Sequence, residues 1–111
     1  LMNHPELKAI LTYGTDQGQG ANEAAMVNGT INKDEFAVFT IDTAEFIRNK
    51  VIESATGDSV LRGTVMLGEG TPMTCYNLMD GSWMDRVVDG VYSEECIKIT
   101  PETIYDYFPA E

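Results

Sequence analysis

Positive charge is what this 111-residue sequence most lacks. Seven Lys and Arg stand against 18 Asp and Glu, a formal net charge of −11. The basic residues are scattered, so no basic stripe can be drawn, and charge of this sign repels nucleic-acid phosphates and anionic membranes while attracting basic surfaces. Histidine is nearly missing as well. His4 is the single one, and histidine-dependent metal or nucleophile sites need several, or a Cys/His pair. Cysteine is limited to Cys75 and Cys96 with no CxxC, which argues against a disulfide framework, a zinc ribbon and a thioredoxin-like motif. No stretch of about 18 apolar residues occurs, so no membrane-spanning helix is expected. GxSxG and GKS/GKT are absent, and the glycine pairs Gly18-Gln19-Gly20 and Gly68-Glu69-Gly70 lack the surroundings of a phosphate cradle. No cofactor or metal is expected.

What is there reads as an ordinary folded chain. Hydrophobic residues make up 43% of it, enough for a modest core, and the length fits a single acidic α+β domain over residues 1–111. The N-terminus lacks the basic and apolar regions of a signal peptide. Leu1 stands ahead of Met2, which favours an unprocessed, cytoplasmic protein. Asn28-Gly29-Thr30 matches a glycosylation sequon, but Asn-Gly is also a turn signal, the reading taken here.

Along the chain, Asn3 and Pro5 suit a helix start, and Leu7, Ile10 and Leu11 follow at helical spacing, with Gly14 as the stop. The polar, glycine-containing residues 15–25 read as a loop with a helical turn near 23–26, and 26–31 as a weak strand. Glu35–Ile41 is a nearly continuous apolar run rich in β-formers and predicts a central strand. Asp42 and Glu45 have capping-box spacing for a helix that carries Ala44, Ile47, Val51 and Ala55 on one face and stops at Gly57. Ser59–Leu67 predicts another strand. Three more follow, roughly 73–79, 82–88 and 91–99, separated by Asp80-Gly81 and Asp89-Gly90, both strong hairpin signals. Thr100-Pro101 opens a last short helix. The expected fold is an antiparallel sheet of about four to six strands, including this C-terminal three-stranded meander, with two or three short helices packed mainly on one face.

The two-residue turns also set a register. Trp83 would pair with Cys96 and Asp85 with Glu94, which gives one sheet face Tyr76, Trp83, Asp85, Tyr92 and Glu94. Opposed carboxylates are locally unfavourable, and beside aromatics they fit a surface for a basic partner. Cys75 and Cys96 fall on opposite faces, so free thiols are expected. The leading reading is a non-enzymatic interaction module whose partner is a basic protein surface, such as that of a nuclease or other nucleic-acid-binding protein. Its sharpest form is a nucleic-acid-mimic inhibitor of a mobile-element or phage type, with Glu102, Asp106 and Glu111 adding charge. Two alternatives stand beside it. One is a small-molecule-binding or catalytic domain whose pocket, between sheet and helices, is flanked by loops 15–25 and 68–72. The other is an accessory or assembly domain whose charge serves solubility and which dimerises through an edge strand.

Overall fold

A computed structural model describes residues 1–67 and 71–110. The chain divides into two compact units, one formed by Leu1–Met66 with Lys98–Glu111, the other by Leu67–Ile97.

The first unit is built on β–α–β crossovers. Strand β1 (Ala9–Leu11) leads to helix α1 (Thr15–Val27), then β2 (Ala37–Ile41), α2 (Glu45–Glu53) and β3 (Leu61–Met66). β1 pairs with β2 and β2 with β3, both parallel. β4 (Ile97–Ile99) closes the order β1-β2-β3-β4 and runs antiparallel to β3. A short helix, α4 (Ile104–Tyr107), follows. The domain is α+β with a mixed sheet, and the expected antiparallel sheet is overturned. The physical cause is the pair of helical crossovers. Helix α1, where residues 15–25 were read as a loop, and helix α2 each carry the chain back to the starting end, so the next strand enters parallel.

Small residues make α1. Its buried positions are Gly18, Asn22 and Ala25, spaced i, i+4, i+7 on one face. A Cβ on Gly18 would lie 2.7 Å from Thr40 Cβ, so the helix sits against β2 only because that residue is glycine. Asn22 is buried, and its Oδ1 accepts from Val60 N (2.9 Å), Leu61 N (3.1 Å) and Ser59 Oγ (3.0 Å). It thus satisfies the backbone where β3 begins.

β2 and α2 follow their sequence patterns. Val38 and Thr40 are buried while Phe39, on the opposite face, is 41% exposed. Ile47 and Val51 bury the inner face of α2. Asp42 is not its cap. Ala44 holds that position, and Gly57, at φ 85°, ends the run beyond Ser54. Among the described residues the buried apolar core is Ala25, Phe36, Val38, Ile47, Val51, Val60, Leu61, Ile99 and Ile104. A bulge at Val38/Phe39 shifts the β2–β3 register past Arg62. The Arg62 guanidinium returns to bond the carbonyls of Phe36 (2.9 Å) and Lys33 (2.7 Å). Two local readings fail near the N-terminus. Residues 9–11 form a strand where a helix was expected, and 26–31 contain the end of α1 instead of a strand.

In the second unit the meander does not form. Residues 73–79 lie in helix α3 (Thr71–Met79), Met84–Arg86 is a single 3-10 turn, and only Ile97–Ile99 of the third expected strand is a strand. Both Asp-Gly pairs do bend the chain. Asp89-Gly90 (φ 52° and 78°) makes a tight turn closed by an antiparallel bridge between Val88 and Val91. Asp80-Gly81 instead terminates α3. Gly81 has φ 84°, and its N–H bonds the Leu78 carbonyl at 3.3 Å. The same left-handed glycine serves a hairpin turn or a helix stop, and Pro72 in the first turn of α3 favours the helix. Among the described residues of this unit only Thr74 is buried.

Candidate functional site

The carboxyl ends of β1 and β2 lie side by side and each opens directly into a helix. After β1 come Thr12, Tyr13 and Gly14, then α1. After β2 come Asp42, Thr43 and Ala44, then α2. These junctions are tied down by backbone bonds that extend the parallel ladder, from Thr12 N to Phe39 O and from Asp42 N to Val65 O, each 2.9 Å.

A set of threonine hydroxyls locks the same edge. Thr12 Oγ1 donates to Thr40 Oγ1 at 2.8 Å, and Thr40 Oγ1 donates to the Gly14 carbonyl at 2.7 Å. Thr64, the register partner of Thr40, donates to the Asp42 carbonyl at 2.6 Å. Thr40 and Thr64 are buried, so the hydroxyl ends of these bonds are out of water while their partners lie nearer the surface. Asp42 itself lies at φ 77°, a left-handed conformation that costs a non-glycine residue free energy, though Asp adopts it more readily than most.

Three chemically distinctive side chains sit on this scaffold. Tyr13 is 78% exposed. Asp16 lies in the first turn of α1, where the helix dipole favours an anion. Asp42 is exposed at the end of β2. Glu45 begins α2 and also lines a cavity of about 380 Å³ between α2 and α4, with Arg48, Ile52, Ile104 and Phe108. The Arg48 guanidinium lies 4.4 Å from the centre of the Phe108 ring and donates to the Thr43 carbonyl at 3.3 Å. The edge therefore offers carboxylate acceptors and an aromatic ring, with one arginine tied to it. The loop 68–72, named from sequence as a pocket wall, falls at 68–70 outside the described residues.

The residues singled out from sequence lie elsewhere, in the second unit. Tyr76 is on α3 and 65% exposed. Trp83 precedes the 3-10 turn that contains Asp85. Tyr92 and Glu94 lie in irregular backbone. Trp83 and Tyr92 do come together, stacked with ring centres 6.0 Å apart and planes 22° apart. The Arg86 guanidinium covers Trp83 at 4.1 Å from the ring centre. Glu94 Oε1 accepts from Thr74 Oγ1 at 3.3 Å. The sheet face that would have set Asp85 directly across from Glu94 does not exist, because the strands bearing them do not form. Cys75 and Cys96 are both exposed and free, although the opposed-face reason given for this falls with the meander.

Among the described residues three exposed carboxyls are shifted. Hydrogen bonding to Lys8, reinforced by its charge, lowers the Glu35 pKa; the hydroxyl and backbone of Ser82 lower that of Asp80, and Thr100 that of Glu102. His4 is paired with Glu6 at 3.2 Å on the surface. Among the described residues no three His, Cys, Asp or Glu side chains cluster as a metal site, and no helix is long and apolar enough to cross a membrane.

Sequence reasoning did not single out Tyr13 or Asp16, and it read Asp42 only as a helix cap. The available signal was a repeated pattern, a short apolar run followed by a polar junction and then a helix, which marks β–α units. No protein-family model matches the chain, and no curated protein matches it.

Proposed function

We propose that the first unit binds a small polyhydroxylated ligand, a sugar or sugar-like polyol, at the carboxyl edge of its parallel strands. Open α/β sheets bind ligands beyond the carboxyl ends of their strands, and here that edge carries the side chains suited to hydroxyl groups. The observation that carries the reading is Asp42, at φ 77° with its N–H bonded to the Val65 carbonyl and its own carbonyl accepting from Thr64. Enforced backbone strain of this kind concentrates at ligand clamps. Carboxylates of Asp16 and Asp42 accept charge-assisted hydrogen bonds from ligand hydroxyls. The exposed ring of Tyr13 supplies an apolar face for ligand C–H groups. A net charge of −11 disfavours anionic ligands. The role is binding without a chemical step.

Isothermal titration with a panel of glucose, galactose, ribose and xylose, and with putrescine as a cationic contrast, tests this. Saturable binding of a panel sugar that weakens at least about tenfold in Asp42→Ala supports it. Binding of putrescine alone, or sugar binding indifferent to Asp42→Ala, overturns it.

A second reading concerns the other unit. There Met73, Tyr76, Met79 and Met84 are exposed together with the acids Asp85 and Glu94. This composition suits a protein partner with an apolar centre and basic rim, and keeps the basic-partner reading as a proposal for residues 67–97. Association that weakens with salt and with Asp85→Lys/Glu94→Lys supports it; association unaffected by either counts against it.

A further inference from the structure

We infer that the buried hydroxyls of Thr40 and Thr64 are positioning residues that set the two halves of this edge in one geometry. The inference rests on the carboxyl-edge reading and deepens it.

Buried strand positions facing helices are ordinarily aliphatic, since an unbonded buried hydroxyl is unfavourable. Here two register-paired inward positions, Thr40 of β2 and Thr64 of β3, carry hydroxyls, and neither spends its shorter bond on its own strand's ladder. Each reaches past the end of a strand to a carbonyl of a βα junction. Thr40 takes Gly14, between Tyr13 and the start of α1. Thr64 takes Asp42, the residue at positive φ. Thr12 completes the chain by donating to Thr40. Thr64 Oγ1 also lies 3.3 Å from the Thr40 carbonyl, so the two anchors are neighbours. The bond to the Asp42 carbonyl opposes relaxation of that peptide out of the left-handed region, and so fixes the direction in which its Cα–Cβ bond leaves the backbone. The bond to the Gly14 carbonyl does the same for the turn that aims Tyr13 and Asp16.

Neither threonine touches solvent appreciably, with relative exposures of 2% for Thr40 and 3% for Thr64. Both therefore act on a bound molecule through the junctions alone. Valine is the matched replacement because it keeps the branched shape and removes the hydroxyl. Serine keeps the hydroxyl.

The test uses Thr64→Val, Thr64→Ser, Asp42→Ala and the double variant Asp42→Ala/Thr64→Val. Without added sugar, backbone NMR chemical shifts report the conformation of residue 42. Thr64→Val should move them away from left-handed values, and Thr64→Ser should hold them. With the glucose, galactose, ribose and xylose panel, Thr64→Val should weaken binding about tenfold, Thr64→Ser by less than about twofold, and Thr64→Val should add nothing in the Asp42→Ala background. A left-handed Asp42 in folded Thr64→Val overturns the inference, as does a further loss of affinity in the double variant. If Asp42→Ala weakens binding and Thr64→Val does not, only the positioning role fails. If Asp42→Ala leaves binding unchanged, the site reading fails and this inference falls with it. Should Thr64→Val not fold, Thr64→Ser losing the left-handed shifts would overturn the inference.

Discussion

Replacing Asp42 with glycine and, separately, with alanine should reverse the usual order of the two residues. At an ordinary backbone position alanine is more stable than glycine by about 0.4–1 kcal/mol, because glycine loses more freedom on folding. Asp42 sits at φ 77°. There a Cβ clashes with the following carbonyl at roughly 1–2 kcal/mol, which glycine escapes. Subtracting glycine's entropic handicap leaves Asp42→Gly more stable than Asp42→Ala by about 1 kcal/mol. For a chain of this size that is a difference of about 4 °C or more in Tm. Both variants lack the carboxylate, so both should lose sugar affinity alike. Thermal and urea unfolding followed by circular dichroism read the stability, and titration reads the binding. An Asp42→Ala variant as stable as Asp42→Gly would refute the claim of an enforced left-handed residue. Equal stability order with intact binding would remove Asp42 from the site altogether.

Other substitutions test the scaffold beneath the site. Gly18→Ala puts a Cβ 2.7 Å from Thr40 Cβ, and should destabilise the protein by about 1–3 kcal/mol in urea unfolding. Gly20→Ala, a position with nothing within 4 Å, should instead stabilise α1 by up to about 1 kcal/mol. Asn22→Ala strips the acceptor from Val60 N, Leu61 N and Ser59 Oγ, and should cost about 2–4 kcal/mol, read as a lowered urea midpoint. The pKa of Glu35, Asp80 and Glu102 is depressed in the folded protein. Their stabilisation is therefore present above the ordinary carboxylate range and lost as pH falls through it to the lowered values. Between pH 6 and pH 3 the urea midpoint should lose less in Glu35→Gln than in the unsubstituted protein, flattening that part of its pH slope. A slope unchanged by Glu35→Gln would contradict the Lys8 pairing as its cause.

How much of this was legible in the sequence depends on what each element uses to bury itself. β2 announces itself because Phe36 to Ile41 are β-formers, and α2 because Ile47 and Val51 repeat on one face ahead of Gly57. α1 hides because its buried face is Gly18, Asn22 and Ala25, which bury surface by close approach and a polar cap, so hydrophobic periodicity cannot find it. Once α1 is missed, the first β–α–β unit is lost, and the second, strand 35–41, helix and strand 59–67, was legible but outweighed by the two Asp-Gly hairpin signals, so the sheet is read with the wrong direction. β1 fails for the opposite reason. Leu7, Ile10 and Leu11 fit helical spacing, but only three residues pair, and pairing depends on β2. Met73–Met79 shows the ambiguity of a short apolar run, which suits a strand or a helix equally. The carboxyl edge was not visible. Asp42 was read only as the cap of the following helix, and the Thr64 and Val65 atoms its backbone bonds lie more than 20 residues later in the chain.

The most direct measurement is an NMR titration of the uniformly labelled protein with the sugar panel. Binding at the carboxyl edge predicts saturable amide shifts concentrated at Thr12–Asp16 and Ile41–Glu45, with Thr40 and Thr64 following and residues 83–94 unmoved. Shifts confined to 83–94, or none anywhere at millimolar sugar, would contradict it.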